Sequence, residues 1–382
     1  MIAFSMFSKG VVTDVNGDQR DLRLDACRGF ALWCIFIDHV PGNWLAWLTP
    51  RNFGFSDMSE VFVFVSGYTC MLAYGGALRE QGWMTIVTRA SRRAWEIYAA
   101  FLLLLIGYFI VIWALGSGSN YVDETNTKVF FENPGLALIR AAILQYTPVN
   151  TDILPTFVLL HLSFPVVLWL LIRSATAALA ISLLLYLVVQ LFGWNLRAWP
   201  TGDFYFNPMA WQLLFVFGAW YVHEGALRLK PILQSRALLV LALLYLAFSL
   251  AIALSWEIKA LERMVPDAVA TLIYPIYKSS LAPLRLLHFL ALAVLVWRLM
   301  PPDWHVLAKP WMMGMIRCGE NSLLIYCVGV LLSFAGFVFL SRVSAGVVAQ
   351  LVVSIGGLSL MIAVASLTTW ASKHDRAGPK LF

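Results

Sequence analysis

Residues Leu24 to Asn43 read LDACRGFALWCIFIDHVPGN, and their pattern decides what kind of chain this is. A charged lead from Arg23 to Arg28 opens onto the apolar run Gly29 to Ile37; the pair Asp38-His39 follows, and Pro41 and Gly42 then interrupt the helix. Such a segment enters a membrane and carries polar groups with it. At 100° per residue the eleven positions from Arg28 to His39 make almost whole turns, which sets the two side chains about 20° apart around the axis and roughly 16 Å along it. Asp25 falls near the same stripe. A cation near one face of the bilayer and an imidazole past its midplane therefore look into one seam of a bundle. Ionisable side chains at that depth are costly and face a protein interior or a water cavity, which marks these positions as functional candidates.

The rest of the composition agrees. Of 382 residues, 60% are hydrophobic, and the mean hydropathy of +0.77 excludes a soluble multidomain chain. The opening MIAFSMFSKG is too short an apolar run for a signal peptide, so the first span is expected to be its own insertion signal. Cys27, Cys34, Cys70, Cys318 and Cys327 lie in or beside apolar runs, with neither metal spacing nor a disulfide framework, and read as packing residues. The net charge of +6 has no basic run long enough for nucleic acid, and cytoplasmic loops of membrane proteins are basic in any case.

Segments of about 20 mostly apolar residues are expected at Ala26 to Leu48, Met58 to Leu78, Ala94 to Leu115, Ile153 to Ile172, Ala177 to Trp194, Met209 to Tyr221, Ala237 to Trp256, Leu284 to Leu299, Gly319 to Leu340 and Ala345 to Trp370. With the N-terminus inside, 18 of the 27 Lys and Arg residues fall on the inner side. Outer cations such as Arg51, Lys278 and Arg285 are mostly diluted by acids. The expectation is an all-α, polytopic transmembrane helix bundle of about ten spans with both termini cytoplasmic: a segment 1–25, a membrane domain 26–370 and a tail 371–382. Gly135 to Tyr146 is apolar but short and carries Arg140, so it is expected to lie at the outer interface or re-enter, without crossing. No internal repeat argues for a two-fold transporter.

Four groups of residues are candidates for chemistry. Arg28 and His39 share a stripe; each alone reads as a snorkelling cation or a hydrogen-bonded core histidine, but together they suit a site in which the imidazole takes a hydroxyl proton. In SDMSE, leading into VFVFVSGY, Glu60 is placed to hold that imidazole in one tautomer or is an interfacial carboxylate at a helix N-terminus, and Ser66-Gly67 lets another helix approach closely. Arg89, Arg92 and Arg93 in TRASRRAWEIY follow the positive-inside rule or form a clamp for the phosphates of a nucleotide-bearing donor. Trp44, Asp152, Asn207, Trp211 and Gln212 belong to an outer polar and aromatic set that serves either an interfacial belt or carbohydrate stacking. His39, His161, His223, His288, His305 and His374 share no ligand spacing on one helix, so no metal or haem is expected.

LDACRGFALWCIFIDH resembles the first-span signature of the acyltransferase 3 superfamily of membrane acyltransferases, through Leu24, Asp25, Arg28, Gly29 and His39. EVFVFVSGY is similar to its second-span phrase, Arg89 with Arg92 to its paired-arginine motif, and GENSLLIY at Gly319 to Tyr326 to its late phrase, without the His that often follows. IDHVPGNW, FGFSDMSEVFVFVSGY, DILPTFVLL and FNPMAWQLLFVFGA look closer still to the OpgC family, which succinylates osmoregulated periplasmic glucans, over about residues 20 to 335.

The resemblance implies a multi-pass protein of the bacterial inner membrane. It would use cytoplasmic succinyl-CoA as acyl-donor substrate, with no permanently bound cofactor, and a periplasmic glucan as acceptor. By that likeness His39 is the catalytic histidine, Arg28 its motif partner, and Arg89 and Arg92, joined by Arg93, the donor-side arginines. Asp38 and Glu60 lie in the OpgC-like phrases as candidate orienting carboxylates. The rival from another class is a carrier or flippase for an anionic lipid or glycan, with Asp38 and His39 as a proton relay.

Overall fold

The computed structural model describes residues 12–13, 19–115, 125–301 and 304–377. The expected segment 1–25, the tail 371–382 and the loop after Gly116 therefore lie partly outside the described residues. Apart from a two-residue hairpin pairing Val12–Thr13 with Gln19–Arg20, the elements are helical: α1 Leu22–Asp38, α2 Met58–Leu115, α3 Lys128–Glu132, α4 Pro134–Ala142, α5 Ile153–Arg173, α6 Ala175–Phe192, α7 Pro208–Trp220, α8 Ala226–Leu233, α9 Arg236–Ser255, α10 Lys259–Glu262, α11 Asp267–Ile273, α12 Pro283–Leu299, α13 Pro310–Glu320, α14 Ser322–Arg342 and α15 Val347–Ala377. The chain is an all-α membrane protein.

Among the described residues, seven helical stretches are long and apolar enough to cross a membrane: Met58–Leu78, Glu80–Ala114, Ile153–Arg173, Ala175–Phe192, Arg236–Ser255, Ser322–Arg342 and Val347–His374. The three further spans expected from sequence are helical but shorter, 17 residues in α1, 13 in α7 and 17 in α12. A π turn at Tyr221–Gly225 carries α7 on into α8. At nine residues α4 is too short to span, in keeping with its reading as a non-crossing piece.

The segment between the expected second and third spans, Met58 to Leu78 and Ala94 to Leu115, is itself largely helical. α2 breaks only at Gly82, where φ is +77°, a backbone state that favours glycine. Helix resumes directly after that break and carries Arg89, Arg92 and Arg93, so the apolar stretch Glu80–Ala114 is continuous helix from 83 onward and starts well before the expected Ala94.

The described residues fall into two compact units. One takes in Met1–Phe62, Leu227–Tyr274 and Leu284–Phe382. In it α1 packs on α13 and α14, which both pack on α15. The α1–α13 crossing is close because glycines make it so. A Cβ on Gly29 would collide with the Met315 carbonyl, and one on Gly319 with the backbone of Asp25. Gly357 of α15 likewise lies against the Phe36 ring.

The other unit takes in Val63–Ala226 and Pro275–Pro283. There α5, α6 and α7 pack on one another. Gly67 sits on the Phe215 carbonyl and Gly218 on that of Phe64, the small-residue approach that Ser66-Gly67 implied. The segment Pro275–Pro283 is pinned by its main-chain carbonyls. Trp211 Nε1 donates to Lys278 and Ser279, Gln190 Nε2 to Ser280 at 2.7 Å, and the Tyr186 hydroxyl to Leu281 at 2.8 Å.

Candidate active site

α1 begins with an Asp21 cap, whose carboxylate accepts from the Arg23 N–H at 3.0 Å, and ends at Asp38 with His39 as its C-terminal cap. The His39 N–H donates back to the Ile35 carbonyl at 3.1 Å, and Gly42, at φ +73°, turns the chain away. Asp38 is held in place. Its Oδ1 accepts from the Thr49 hydroxyl at 2.6 Å, while Arg51 Nη1 donates to its carbonyl at 3.3 Å and Arg51 Nε stands 4.0 Å from Oδ1.

The loop that supplies Thr49 and Arg51 is itself tied to α15. Asn43 Nδ2 donates to Ser354 Oγ at 2.9 Å and the Trp44 N–H to Gln350 Oε1 at 2.7 Å, leaving the Trp44 ring exposed. Arg28, at the other end of α1, pairs with Asp25, whose carboxylate is almost wholly buried. That pairing offsets the penalty of placing either charge away from water. The Gly319 crossing lies on this same turn, which accounts for the glycine of GENSLLIY as close packing.

Ala31 and Cys34 of α1 form one apolar cluster with Met58, and Ile35, Val61 and Phe62 pack against it. His39 follows Ile35 by four residues, about 6 Å of helical rise. The start of α2 is closed by a capping box: the Ser59 N–H donates to Asp57 Oδ1 at 2.8 Å and the Asp57 N–H to Glu60 Oε2 at 3.0 Å. Glu60 is fully buried and bears a second load. Arg285 Nε donates to its Oε1 at 2.8 Å, and Arg285 Nη2 reaches the same oxygen at 2.7 Å and Asp57 Oδ2 at 3.1 Å.

Arg285 was expected among outer-loop cations; the structure corrects this, placing it on the first turn of α12 and burying it against two carboxylates. One turn on, His288 Nδ1 meets both the N–H and the hydroxyl of Ser56, at 3.2 and 2.7 Å. A backbone N–H only donates, so Nδ1 is the acceptor and the ring proton belongs on Nε2. Sequence reasoning missed Arg285 and His288 as site neighbours. Their signal was present: two polar residues three apart on one face of an apolar stretch behind Pro283.

In the other unit, the three arginines expected on the donor side stand on the helical turns past Gly82. Arg89 Nη2 donates to Gln81 at 2.8 Å, and Arg92 and Arg93 share Glu96, at 3.2 and 3.0 Å. Three guanidinium groups against one carboxylate leave an excess of positive charge, and Arg92 is 80% exposed.

Asp152 precedes α5 and accepts from the Thr147 hydroxyl at 2.7 Å. Burial holds its carboxyl above the ordinary range, only partly offset by that bond. Asn207 caps α7, accepting from the Met209 N–H at 3.0 Å and donating to the Trp194 carbonyl at 2.6 Å. Trp211 is fully buried with its N–H on the pinned segment, and Gln212 exchanges bonds with Ser182 at 2.7 and 2.8 Å. The unit of α1 thus contains Arg28, Asp38, His39, Trp44 and Glu60, with Arg28 in the second turn of α1 and His39 at its C-terminal cap. Arg89, Arg92, Arg93, Asp152, Asn207, Trp211 and Gln212 belong to the other unit.

No curated protein and no solved structure matches the chain. A family model described as OpgC protein matches residues 20–373, from the hairpin to the last turns of α15. Family membership carries a transferase activity, and the seven apolar helices carry a place in a membrane. On that match, which covers nearly its whole length, the chain belongs to the OpgC family.

Proposed function

We propose that the protein is a multi-pass O-acyltransferase of the inner membrane that moves a succinyl group from succinyl-CoA to a hydroxyl of a periplasmic glucan, with His39 as general base. The observation that carries this reading is the Asp38-His39 pair at the C-terminal end of α1, with the Asp38 carboxylate bonded by Thr49 and its main-chain carbonyl by Arg51, in a chain of the OpgC family.

His39 removes the proton from the attacking hydroxyl as its oxygen bonds to the thioester carbon. The tetrahedral intermediate collapses with loss of CoA sulfur, which takes up a proton, so that an ester and free CoA result. Asp38 and Glu60 supply the negative charge that favours the imidazolium formed on the way. Arg89, Arg92 and Arg93 take the phosphates of the donor. Trp44, Asp152, Asn207, Trp211 and Gln212 are the acceptor-side candidates. Of these, Trp44 has its ring exposed for stacking, whereas Asn207, Trp211 and Gln212 hold the fold around α7.

Mass spectrometry of periplasmic glucans from cells making the wild-type protein or a properly inserted His39→Gln variant tests this. Succinylated glucan with the wild type alone supports the base, and glucan still succinylated by the variant overturns it. Purified protein given labelled succinyl-CoA and glucan leaves covalent label on the sugar, which a carrier cannot do.

A further inference from the structure

Transfer of a dicarboxylic acyl group requires the site to deal with a second carboxylate close to the reacting thioester. Three carbon–carbon bonds of about 1.5 Å separate the thioester carbon of a succinyl group from its distal carboxyl carbon, so the two lie about 4 Å apart when extended. A cation reading that carboxylate must therefore stand beside the catalytic imidazole.

The guanidinium groups tied to α1 and the start of α2 are not equivalent. Arg28 is paired with buried Asp25 and lies roughly 16 Å of helix away from His39. Arg285 is buried and divides its donors between Glu60 and Asp57, so its cluster carries one more negative charge than positive and does not attract an anion. Arg51 differs in both respects.

Its anchor is the residue next to His39: Nη1 bonds the main-chain carbonyl of Asp38, while the Asp38 carboxylate is claimed at 2.6 Å by Thr49 and sits 4.0 Å from Arg51 Nε, beyond hydrogen-bond length. Nε and Nη2 thus have no hydrogen-bonded acceptor among the described residues, and the side chain is about half exposed. The turn that presents it is hydrogen-bonded on both sides of Arg51. Asn52 Nδ2 bonds the Ala46 carbonyl at 2.6 Å, the Phe53 N–H bonds Pro50 at 3.0 Å, and the stretch before it is fastened to Ser354 and Gln350. A planar two-nitrogen edge anchored on the residue next to His39 in the chain matches the two oxygens of a carboxylate.

We propose that Arg51 is the residue that selects a dicarboxylic acyl donor, by a forked bond from Nε and Nη2 to the distal carboxylate. This rests on the acyl-transfer reading above, and the test separates the two. Purified full-length protein in lipid nanodiscs receives succinyl-CoA and acetyl-CoA together with glucan, and the products are weighed by mass spectrometry.

For Arg51→Gln the succinyl-to-acetyl product ratio is expected to fall by about ten- to a hundredfold, the scale of a lost charge-assisted pair. Arg51→Lys keeps the charge without the fork and falls between. The ratio is read within one preparation, so partial misfolding does not alter it. A ratio unchanged in both variants overturns the proposal and leaves Arg51 as a contact for lipid headgroups. If the wild type transfers neither group, or His39→Gln still transfers, it is the acyl-transfer reading that fails.

Discussion

Arg285 on α12 and Glu60 on α2 are 225 residues apart in sequence and meet through a 2.8 Å bond from Nε to Oε1, with Asp57 on the same guanidinium at 3.1 Å. Removing one partner of a buried pair strands the other charge, at about 3–5 kcal/mol. Arg285→Met is therefore expected to lower the melting temperature of the detergent-solubilised protein sharply, and Arg285→Lys less so. Because two carboxylates are stranded, adding Glu60→Gln to Arg285→Met should recover part of the loss. Thermal unfolding followed by size-exclusion chromatography measures all three, and a double variant no more stable than Arg285→Met contradicts the assignment.

The crossing of α1 and α13 gives a second outcome. A Cβ at Gly319 has no room against the Asp25 backbone, whereas one at Gly356 on α15 meets nothing within 4 Å. Gly319→Ala is expected to destabilise by about 1–3 kcal/mol, the scale of overpacking. Gly356→Ala is expected to be neutral or slightly stabilising through helix propensity. The pair serves as an internal control in one thermal assay.

For the donor cluster, Arg92→Ala should weaken CoA binding by about tenfold, one charge-assisted phosphate contact. Glu96→Gln, which frees both Arg92 and Arg93 from their shared carboxylate, should tighten it. Titration calorimetry with CoA reads both signs, and binding unaffected by Arg92→Ala would return that arginine to a topological role.

The raised carboxyl of Asp152 has a signed consequence. A group whose folded pKa lies above its unfolded value favours the fold at low pH and loses that contribution as pH climbs through the folded value. The window opens at the unfolded carboxylate pKa of about 3.9 and closes at the raised folded one. Asp152→Asn should gain stability relative to wild type across that window, by an amount that grows with pH, and equal slopes of melting temperature against pH in the two proteins would refute it.

Local features were legible in the sequence and long-range pairing was not. Pro41-Gly42 ends α1, Ser66-Gly67 marks a close crossing, and the short run around Arg140 forms a helix that does not span, because each depends on neighbours a few residues away. The helix that resumes after Gly82 and carries Arg89 to Arg93 into the third span was not legible, because a charged stretch between apolar runs lacks the pattern by which a span is read. Arg285 was misplaced for a related reason. Charge counting treats a cation near a span's end as solvated, and only its partners, buried Glu60 and half-buried Asp57, contributed from far along the chain, make it interior. The orienting groups of Asp38 come from Thr49 and Arg51, in a turn that carries no motif.

The early start of the third span bears on how a donor is met. The continuous helix from 83 to 114, beyond the break at Gly82, measures roughly 48 Å, while the hydrocarbon layer takes about 30 Å. Upright in the bilayer, such a helix carries several turns clear of the lipid tails, and Arg89, Arg92 and Arg93 sit on the end next to Gly82. Their guanidinium groups are therefore mounted on a stiff post and not on a wandering loop, so an incoming diphosphate spends little of its binding energy on ordering the backbone that receives it.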